Sequence, residues 1–505
     1  MDGSHHGDGA YKVLYIFGLL VLLLSLNTQP VRSLPRLQES TWTIPQTIPG
    51  YDPATVSPIL IPDQNRTVHA FSSQWINNPD EDPIRAIVYN QWTLENGWTN
   101  PVDIIMSPSQ EARLTDVYLD KNGIFHLTFY GGNNTAANIY YTQAPAVQAA
   151  DSRSWSAPII VGETANDPGT ASIVENDQGS IIIVYNGREL GNGLYVVTSK
   201  DGGENWSNPV PMFFTQSDRP NISRLDVIKS KSGRLHAIWA LYSLGGQGRG
   251  IYYAGSEDGN QWSEPYLLAN SDDGLGSQTP AIIEYKDSLI ALFNLPPKIM
   301  MRRSTDGGNT WDAPAVLFPR HVGVNGSISP VIDGNDELHL FFGQRISGNP
   351  DIHGMWHSIL KGNRWTEPNA VVKGPRVWDL EGPTSFDPYE ARAVVSQGNV
   401  ILVTWITDLG ERKANGVFYS YSVLDAPETT VVPLPTVSIP SAAEAPGYSA
   451  VPTGPVPTAT EAAESVPVGK FDQTPQQQQS RSWMVIGVFI VVVLGLGYLI
   501  FVRGR

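Results

Sequence analysis

The sequence predicts an all-β protein, a β-propeller built from a ring of small antiparallel sheets, followed by one membrane-spanning helix near the C-terminus. Three observations predict this architecture. A strand-like pattern recurs about every fifty-five residues, a Trp and a Pro close most of its copies, and the 20 residues of 483–502 contain no charged side chain. The composition agrees with a folded chain, since 10% of the 505 residues are aromatic and only 16% are charged.

The repeat consists of short apolar segments that each follow a polar turn. Its equivalent positions are spaced 57, 56, 54, 54, 49 and 62 residues apart, at His69, His126, Ile182, His236, Ile290, His339 and Ile401. Each copy also has an apolar run before the turn and a third run rich in Tyr or β-branched residues. The first six copies then end in Trp-x-x-Pro. Four short strands per copy predict an antiparallel blade, and copies at a fixed period predict a ring or an array of them.

Two blade counts are compatible with this pattern. Seven units predict seven blades, which we favour, but the last unit has no closing Trp. If the N-terminal and C-terminal strands share one closing blade, the count falls to six. The four aligned histidines occupy one strand position in different units, so we expect them around a ring as structural residues. We predict neither a metal site nor any other cofactor.

Two turns carry the pattern Ser-x-Asp-x-Gly-x-x-Trp, at 199–206 and 304–311, and a third turn at 256–262 is one residue shorter. An Asp side chain can accept backbone N–H groups of such a turn, Gly supplies a positive φ, and Trp buries its ring. We therefore expect structural roles for Ser199, Asp201, Gly203, Trp206, Ser256, Asp258, Trp262, Ser304, Asp306, Gly308 and Trp311.

These turns match the Asp box, and residues 51–425 resemble the Asp-box (bacterial neuraminidase repeat) propellers of the sialidase superfamily. The resemblance implies turns on the face away from an active site, six blades, an Arg triad, a Tyr–Glu nucleophile pair and an Asp acid/base. The first arginine of the family triad lies in a Phe/Tyr-Arg-Ile-Pro stretch, which this chain lacks. The nearest arginines, Arg66 and Arg85, sit in a turn and in an outer strand, so the family's catalytic set is not assigned here.

Charged residues near the starts of the innermost strands are the candidate functional residues, because those strands line the central channel of a propeller. The acids are candidate catalytic residues: Asp116, Asp226 and Glu390. The candidate ligand-binding residues are Arg113, Arg224 and Arg392, together with Trp378, Asp379 and Glu381 in the long loop 373–391. The alternative is that these charges form ion pairs that seal the channel or are solvated in loops.

The chain divides into six predicted segments. They are a signal peptide or signal anchor (1–33), a linker (34–50), the propeller (51–425), a disordered Pro/Thr-rich stalk (426–482), a transmembrane helix (483–502) and a cytoplasmic tail (503–505). The apolar run 13–26 has the length of a secretory h-region. Arg503 and Arg505 after the second apolar segment favour a cytoplasmic C-terminus with the propeller outside the cell.

The composition also limits the function. The absence of Cys excludes disulfides, thiolate metal sites and cysteine nucleophiles, and a net charge of −16 without a basic run argues against nucleic-acid binding. We predict a membrane-anchored extracellular propeller, sialidase-like in fold, that binds a glycan or protein ligand at the cell surface. The alternative is a surface-tethered exo-glycosidase of sialidase type. The missing arginine motif favours binding.

Overall fold

The structure is a computed structural model that describes residues 42–436, except 77–82, 107–110, 133–136, 165–168, 216–220, 243–247, 271–277, 322–323, 346–352, 374–387 and 408–415. The described residues form seven antiparallel sheets, and the first strands of successive sheets contact one another in sequence around a ring. The predicted seven-bladed propeller is confirmed. These first strands therefore line the channel, and each blade is built outward from its first strand.

The strand bounds follow the chain. The first blade contains β2 (Ile59–Pro62), β3 (Val68–Ile76), β4 (Ile84–Thr93), β5 (Gly97–Trp98) and β6 (Val102–Met106), and the second contains β7 (Ala112–Leu119), β8 (Ile124–Gly131), β9 (Ala137–Pro145) and β10 (Ile159–Thr164). The third contains β11 (Ala171–Glu175), β12 (Ile181–Gly187), β13 (Gly193–Ser199) and β14 (Val210–Phe214), and the fourth β15 (Asn221–Lys229), β16 (Leu235–Tyr242), β17 (Gly248–Ser256) and β18 (Tyr266–Asn270). The fifth contains β19 (Gln278–Tyr285), β20 (Ser288–Leu295), β21 (Lys298–Ser304) and β22 (Ala315–Leu317), and the sixth β23 (Val324–Ile332), β24 (Leu338–Arg345), β25 (Gly354–Lys361), β26 (Arg364–Trp365) and β27 (Asn369–Lys373).

The seventh blade is completed by the N-terminal end of the propeller. Its strands are β28 (Pro388–Ser396), β29 (Val400–Thr407), β30 (Phe418–Val423) and β1 (Gln46–Thr47), and β1 pairs with β30. The predicted linker 34–50 therefore contributes a strand, and the propeller begins before residue 51. The physical reason is that the last repeat has no fourth strand of its own, which would leave the edge of β30 unpaired. The N-terminal and C-terminal strands of the propeller do share a closing blade, and the ring still has seven blades.

The core lies between neighbouring blades. Phe71 and Tyr89 of the first blade, for example, share a buried cluster with Phe125 and Phe129 of the second. Every residue of β8 and β12 is buried, because both faces of these strands are covered by adjacent blades. This explains why the second strand of each repeat reads as a continuous apolar run in the sequence.

The aligned histidines lie in separate blades, each buried in its own hydrogen-bonded pair. His69, His126 and His236 each place Nδ1 2.7 Å from a Tyr hydroxyl, and His339 places Nδ1 2.8 Å from His357 Nε2. Burial lowers the pKa of His236 to about 4. These contacts hold the second and third strands of one blade together, as expected for structural residues.

The turns at 199–206, 256–262 and 304–311 are held by their own side chains. In the first of them, Asp201 Oδ1 accepts from Ser199 Oγ at 2.8 Å and from Asn205 N at 2.9 Å, and these bonds lower the pKa of Asp201 to about 2. Gly203 N donates to Ser199 Oγ at 2.8 Å, and Trp206 Nε1 donates to Gly203 O at 3.2 Å. The Ser and Asp bonds recur in the other two turns, and the bond of the Trp Nε1 group to a Gly carbonyl recurs at Trp262 but not at Trp311.

The face that carries these turns, together with the turns between the first and second strands of each blade, is called here the turn face. The opposite face, where the chain passes between blades, is the loop face. Residues 425–436, called here the C-terminal strap, cross the turn face from the sixth blade to the second. The strap contacts are Asn335 Nδ2 to Asp425 O (2.8 Å), Thr429 N to Gln397 O (2.8 Å), Arg66 to Glu428 (2.7 Å), Val432 N to Gln64 O (2.9 Å), Leu434 against the first core cluster, and Pro435 beside Gly123.

The strap corrects the predicted start of the stalk. Residues 426–436 were expected to belong to a disordered spacer because they are rich in Pro and Thr, but their backbone groups bond to turn carbonyls of the propeller. Extended chain suits this contact, since it leaves N–H groups free to donate. Within the part of the chain that the structure describes, no helix has the length and apolar character needed to span a membrane. The predicted segments 1–33, 483–502 and 503–505 lie outside the described residues, as does the rest of the stalk.

Candidate functional site

Five of the predicted site residues sit at or beside irregularities in the innermost strands: Asp116, Arg224, Asp226, Glu390 and Arg392. The register of β7, β15 and β28 against the next strand shifts between Leu114 and Asp116, between Ser223 and Asp226, and between Tyr389 and Arg392. At two of these bulges a non-glycine residue adopts a left-handed backbone: Arg224 has φ 55° and Glu390 has φ 51°. Such conformations are strained and are often found where a side chain must be aimed at a functional site.

The two strained residues face each other across the channel. Arg224 Nη2, from the fourth blade, lies 3.3 Å from Glu390 Oε1, from the seventh, and their side chains are 28% and 18% exposed. The pair therefore joins two blades that are far apart along the chain. Each side chain is partly desolvated, which strengthens the charge–charge interaction relative to water.

Arg392 brings two more predicted residues, Asp116 and Asp226, into one electrostatic group with the Arg224–Glu390 pair. Burial lowers the pKa of Arg392, the charges of Glu390, Asp116 and Asp226 raise it, and the charge of Arg224 lowers it. Five of the predicted residues thus act on one another in the channel: Asp116, Arg224, Asp226, Glu390 and Arg392.

The carboxylate of Asp116 accepts hydrogen bonds from backbone N–H groups and from a hydroxyl group. Its Oδ2 accepts from Ser172 Oγ at 2.8 Å and from Ile173 N at 2.9 Å, both in the third blade, and its Oδ1 accepts from Val117 N at 2.8 Å. Burial raises the pKa of Asp116 and outweighs these hydrogen bonds, which lower it. The carboxylate therefore fastens the second blade to the third.

Asp226 has the same arrangement one step further around the ring. It accepts from the backbone N–H groups of Ile282, in the fifth blade, and of Val227. Burial and the charge of Asp116 raise the pKa of Asp226 to about 7, against the lowering effect of Arg392 and these hydrogen bonds. Near neutral pH this carboxyl group is therefore divided between its protonated and ionised forms.

Arg113 does not join the central group but belongs to a second one near the loop face. Arg113 Nε makes a close ion pair with Glu111 Oε1, and Arg85 Nη1 lies 3.2 Å from the same oxygen. The Arg85 guanidinium lies 4.3 Å from the centroid of the Trp75 ring. Sequence reasoning missed Glu111 and Trp75. The available signal was the i, i+2 spacing of Glu111 and Arg113, which places two side chains on one face of an extended chain.

The remaining predicted residues of the long loop, Trp378, Asp379 and Glu381, lie outside the described residues. Their contribution to the site stays a prediction.

Two Tyr–Glu pairs occur in the described residues, but neither has the properties of an activated nucleophile. Tyr118 Oη donates to Glu175 Oε2 at 3.1 Å, and Tyr185 Oη donates to Glu189 Oε1 at 2.5 Å. Burial, followed by the neighbouring glutamate, raises the pKa of both phenols. A phenol that must attack a substrate needs the opposite shift or a base that is free to take its proton.

Among the described residues, Asp333, Glu337 and His339 form one group whose possible ligand atoms lie within 4.8 Å of one another. The geometry has a simpler explanation than a metal. Asp333 Oδ1 already accepts from Asn335 N and Glu337 N, at 2.9 and 2.8 Å, and Lys361 supplies a positive charge 3.7 Å from Glu337. The Asp–His contact also recurs at His69 with Asp63, where the described residues supply no third possible ligand.

No protein-family model and no curated protein matches this chain. Solved structures do match its fold. An ulvan lyase, described as a polysaccharide lyase of a new family and bound to -[GlcA(1-4)Rha3S]-, is 12% identical, with a TM-score of 0.50 over 75% of this chain and 96% of its own.

Two further structures match with lower scores. A protein of unknown function from Dyadobacter fermentans is 14% identical, with a TM-score of 0.46 over 75% of this chain and 98% of its own. The leech intramolecular trans-sialidase is 11% identical, with a TM-score of 0.41 over 76% and 70%. At such identities the comparison shows the fold alone.

Proposed function

We propose that this protein is a binding propeller that holds an acidic glycan at the loop-face end of its channel, through Arg224, Glu390 and Arg392. The observation that carries the proposal is the Arg224–Glu390 pair, since both residues keep a strained backbone to reach a shared, partly exposed position. A guanidinium can bind a carboxylate or sulfate through two parallel hydrogen bonds, and a carboxylate accepts from sugar hydroxyls. Together they provide both kinds of partner that an acidic sugar requires.

Binding is favoured over hydrolysis by the state of the two acids nearest the pair. The oxygens of Asp116 accept three donors from the protein, and Asp226 accepts backbone N–H groups of two residues. A catalytic carboxylate must be able to reach the substrate, whereas these two carboxylates accept hydrogen bonds from neighbouring blades.

A tethered exo-glycosidase is the second candidate, and one observation favours it. The pKa of Asp226 is raised to about 7, the range in which a carboxyl group serves as a general acid at neutral pH. The resemblance of the three Ser-x-Asp turns to the Asp boxes of the sialidase superfamily supports the same candidate.

The test is retention of acidic glycans by the purified full-length chain on a glycan array, with neutral counterparts of the same length as controls. We expect Arg224→Ala and Glu390→Gln to weaken binding at least about tenfold, as for the loss of one charged hydrogen bond. The matched control is Arg153→Ala, since Arg153 is 87% exposed and pairs with Asp151 elsewhere on the surface. Absence of binding to every acidic glycan would overturn the proposal.

A turnover assay separates the two candidates. The same protein is incubated with fluorogenic sialosides and other glycosides, beside an Asp226→Asn variant. Turnover by the parent that is lost in the variant would replace the binding function by the hydrolytic one. We expect no turnover by either protein.

We further propose that the propeller is displayed outside the cell on a C-terminal membrane anchor. The apolar segments 13–26 and 483–502 and the arginines that follow the second one support this location. Digestion of intact cells with an added protease tests it. We expect the propeller to be released or cleaved from outside, and full protection of the propeller would contradict the proposed location.

A further inference from the structure

We propose that the central site takes up a proton at Asp226 when an acidic glycan binds beside Arg392. The protein then holds the glycan in acidic or neutral surroundings and releases it as the pH rises. This inference rests on the proposed binding function and adds a regulation of the same site. It depends on three side chains of the channel: Asp116, Asp226 and Arg392.

Two carboxylates from different blades lie close together in the channel. Ser172 Oγ donates to Asp116 Oδ2 at 2.8 Å and accepts the N–H of Val227 at 3.1 Å. The same N–H group bonds to the carboxylate of Asp226. One hydroxyl and one backbone N–H group therefore connect the two carboxylates. Like charges so close together disfavour ionisation of both groups, so one member of the pair tends to retain a proton.

Asp226 is the member that retains the proton. The carboxylate of Asp116 accepts three hydrogen bonds, one of them from a hydroxyl group, and these bonds favour its ionised form. Asp226 accepts the backbone N–H groups of Val227 and Ile282, but burial and the charge of Asp116 outweigh them and raise its pKa to about 7. The proton on Asp226 is therefore exchanged near neutral pH.

The charges that act on Asp226 come from two other blades. Asp116 of β7 raises the pKa of Asp226, and Arg392 of β28 lowers it. The adjoining strands place uncharged groups beside Asp226. These groups are the serine hydroxyl of β11, Ile238 of β16 and the backbone of Ile282 of β19. The charge of a bound glycan would therefore act on Asp226 together with these two opposing charges.

Arg392 connects the proton to the glycan. Ionised Asp226 raises the pKa of Arg392, which means that it stabilises the charge of the guanidinium. An acidic group bound to Arg392 competes with this interaction and is repelled by the ionised carboxylate. Protonation of Asp226 removes both effects, so the glycan binds the protonated form more tightly, and bound glycan in turn favours protonation. Both side chains are intermediate in exposure, so a proton can enter from the channel.

The expected pH dependence follows from this coupling. We expect ionisation of Asp226 to weaken glycan binding about tenfold, within the usual range for two coupled sites. Because the pKa of free Asp226 is raised to about 7, the affinity is full in the acidic range and falls as the pH rises through neutrality.

The test is isothermal titration calorimetry of glucuronic acid into the full-length chain at about pH 6 and about pH 9, a range in which the carboxyl group of the probe stays ionised. Titrations at about pH 7.5 in phosphate and in Tris, whose ionisation enthalpies differ, give the number of protons taken up. We expect about tenfold weaker binding at the higher pH and uptake of about half a proton per glucuronate in the intermediate titrations.

Three variants assign the proton. Asp226→Asn keeps an oxygen that accepts backbone N–H groups but cannot ionise, so it should bind at about pH 9 as tightly as the parent does at about pH 6. Asp116→Asn should move the midpoint of the pH dependence to lower pH, because the charge of Asp116 raises the pKa of Asp226. The matched control is Asp333→Asn. Asp333 is a buried aspartate of the turn face, and this variant should keep the parent's pH dependence.

The outcomes separate the linkage from the binding function. Parent affinity that is independent of pH, or an unchanged pH dependence in Asp226→Asn, would overturn the linkage and leave the binding function in place. The proton count of the parent requires no variant, so an uptake of zero would overturn the linkage even where Asp226→Asn does not fold. Failure of the parent to bind glucuronic acid at every pH would instead overturn the proposed function, and the linkage with it.

Discussion

The adjacent glycines of the turn 304–311 allow a sharp test of how neighbouring blades pack. Gly307 and Gly308 have left-handed φ angles of 69° and 90°, so an Ala at either position is strained. The surroundings of the two residues differ. A Cβ on Gly307 would meet only Arg234 Cδ at 3.9 Å, whereas a Cβ on Gly308 would overlap the hydroxyl of Tyr253 in the preceding blade.

The expected costs follow from these contacts. Gly307→Ala should destabilise the protein by about 1 kcal/mol, the cost of a left-handed L-residue. Gly308→Ala adds the displacement of Tyr253, whose hydroxyl lies 2.7 Å from His236 Nδ1 in a buried pair. Overpacking costs about 1–3 kcal/mol, and a buried polar group left without its partner costs about as much again. We expect a total of about 3 kcal/mol or more for Gly308→Ala.

The assay is urea unfolding of the full-length chain followed by the fluorescence of its 14 tryptophans, one of which, Trp311, packs edge-on against Tyr253 at 5.1 Å. The double variant Gly308→Ala, Tyr253→Phe removes the hydroxyl, which is the nearest of the overlapping atoms, while the ring carbons Cζ and Cε1 still overlap the new Cβ. The second substitution should therefore cost less in this background than in the parent, with a coupling of about 1 kcal/mol or more. Equal destabilisation by the two alanines, or no coupling to Tyr253→Phe, would refute the packing argument.

Three further predictions concern stability. Burial and the charge of Asp116 raise the folded-state pKa of Asp226 to about 7, so the folded protein loses stability as the pH rises from about 4 through 7. The variant Asp226→Asn should therefore melt at a higher temperature than the parent at pH 8. An unchanged melting temperature would contradict this prediction. The pKa of His236 is lowered to about 4, so stability falls as the pH drops from about 6.5 to 4, and His236→Gln should reduce this slope in melting scans. Replacing the strap residues 426–436 by Gly and Ser in the full chain should lower the melting temperature, while the same replacement of 437–447 should not; equal melting temperatures would show that the strap does not stabilise the ring.

Much of the fold could be predicted because the blade is a repeated unit with a strong local pattern. What escaped prediction depends on backbone contacts that leave little trace in side chains. Strand β1 has only two residues, Gln46 and Thr47, and its pairing with β30 is set by an empty sheet edge. The strap is similar, since Thr429 N and Val432 N bond to turn carbonyls, and the Pro-rich composition around them is equally typical of a free spacer.

The structure places Asp116, Asp226 and Glu390 on innermost strands, but the geometry that brings them together was not predictable from the sequence. Arg and Glu rarely adopt a left-handed backbone, so no sequence pattern identifies the bulges at Arg224 and Glu390. The partner of Arg113 was also missed, because Glu111 lies before the strand and acquires its role only when the third strand of the preceding blade brings Arg85 beside it.

The bonds that join neighbouring blades indicate which residue the central group is built around. Ser172 accepts the N–H of Val227 at 3.1 Å, and Ser329 accepts that of Ala393 at 2.9 Å, so an uncharged serine can make the connection. The aspartates at 116 and 226 make equivalent connections although burial opposes their ionisation. Joining blades therefore does not account for their charge.

The neighbouring Arg392 explains why charged residues occupy positions 116 and 226. Both aspartates raise the pKa of Arg392 and so favour its charged form, against the burial that lowers it. In the proposed binding site, this guanidinium lies inside the channel, two residues beyond the strained Glu390, and supplies positive charge for the acidic glycan. Arg392→Met should therefore abolish glycan binding and raise the pKa of Asp226 further, whereas Arg224→Ala should weaken binding with a smaller effect on Asp226, because Arg392 remains beside it.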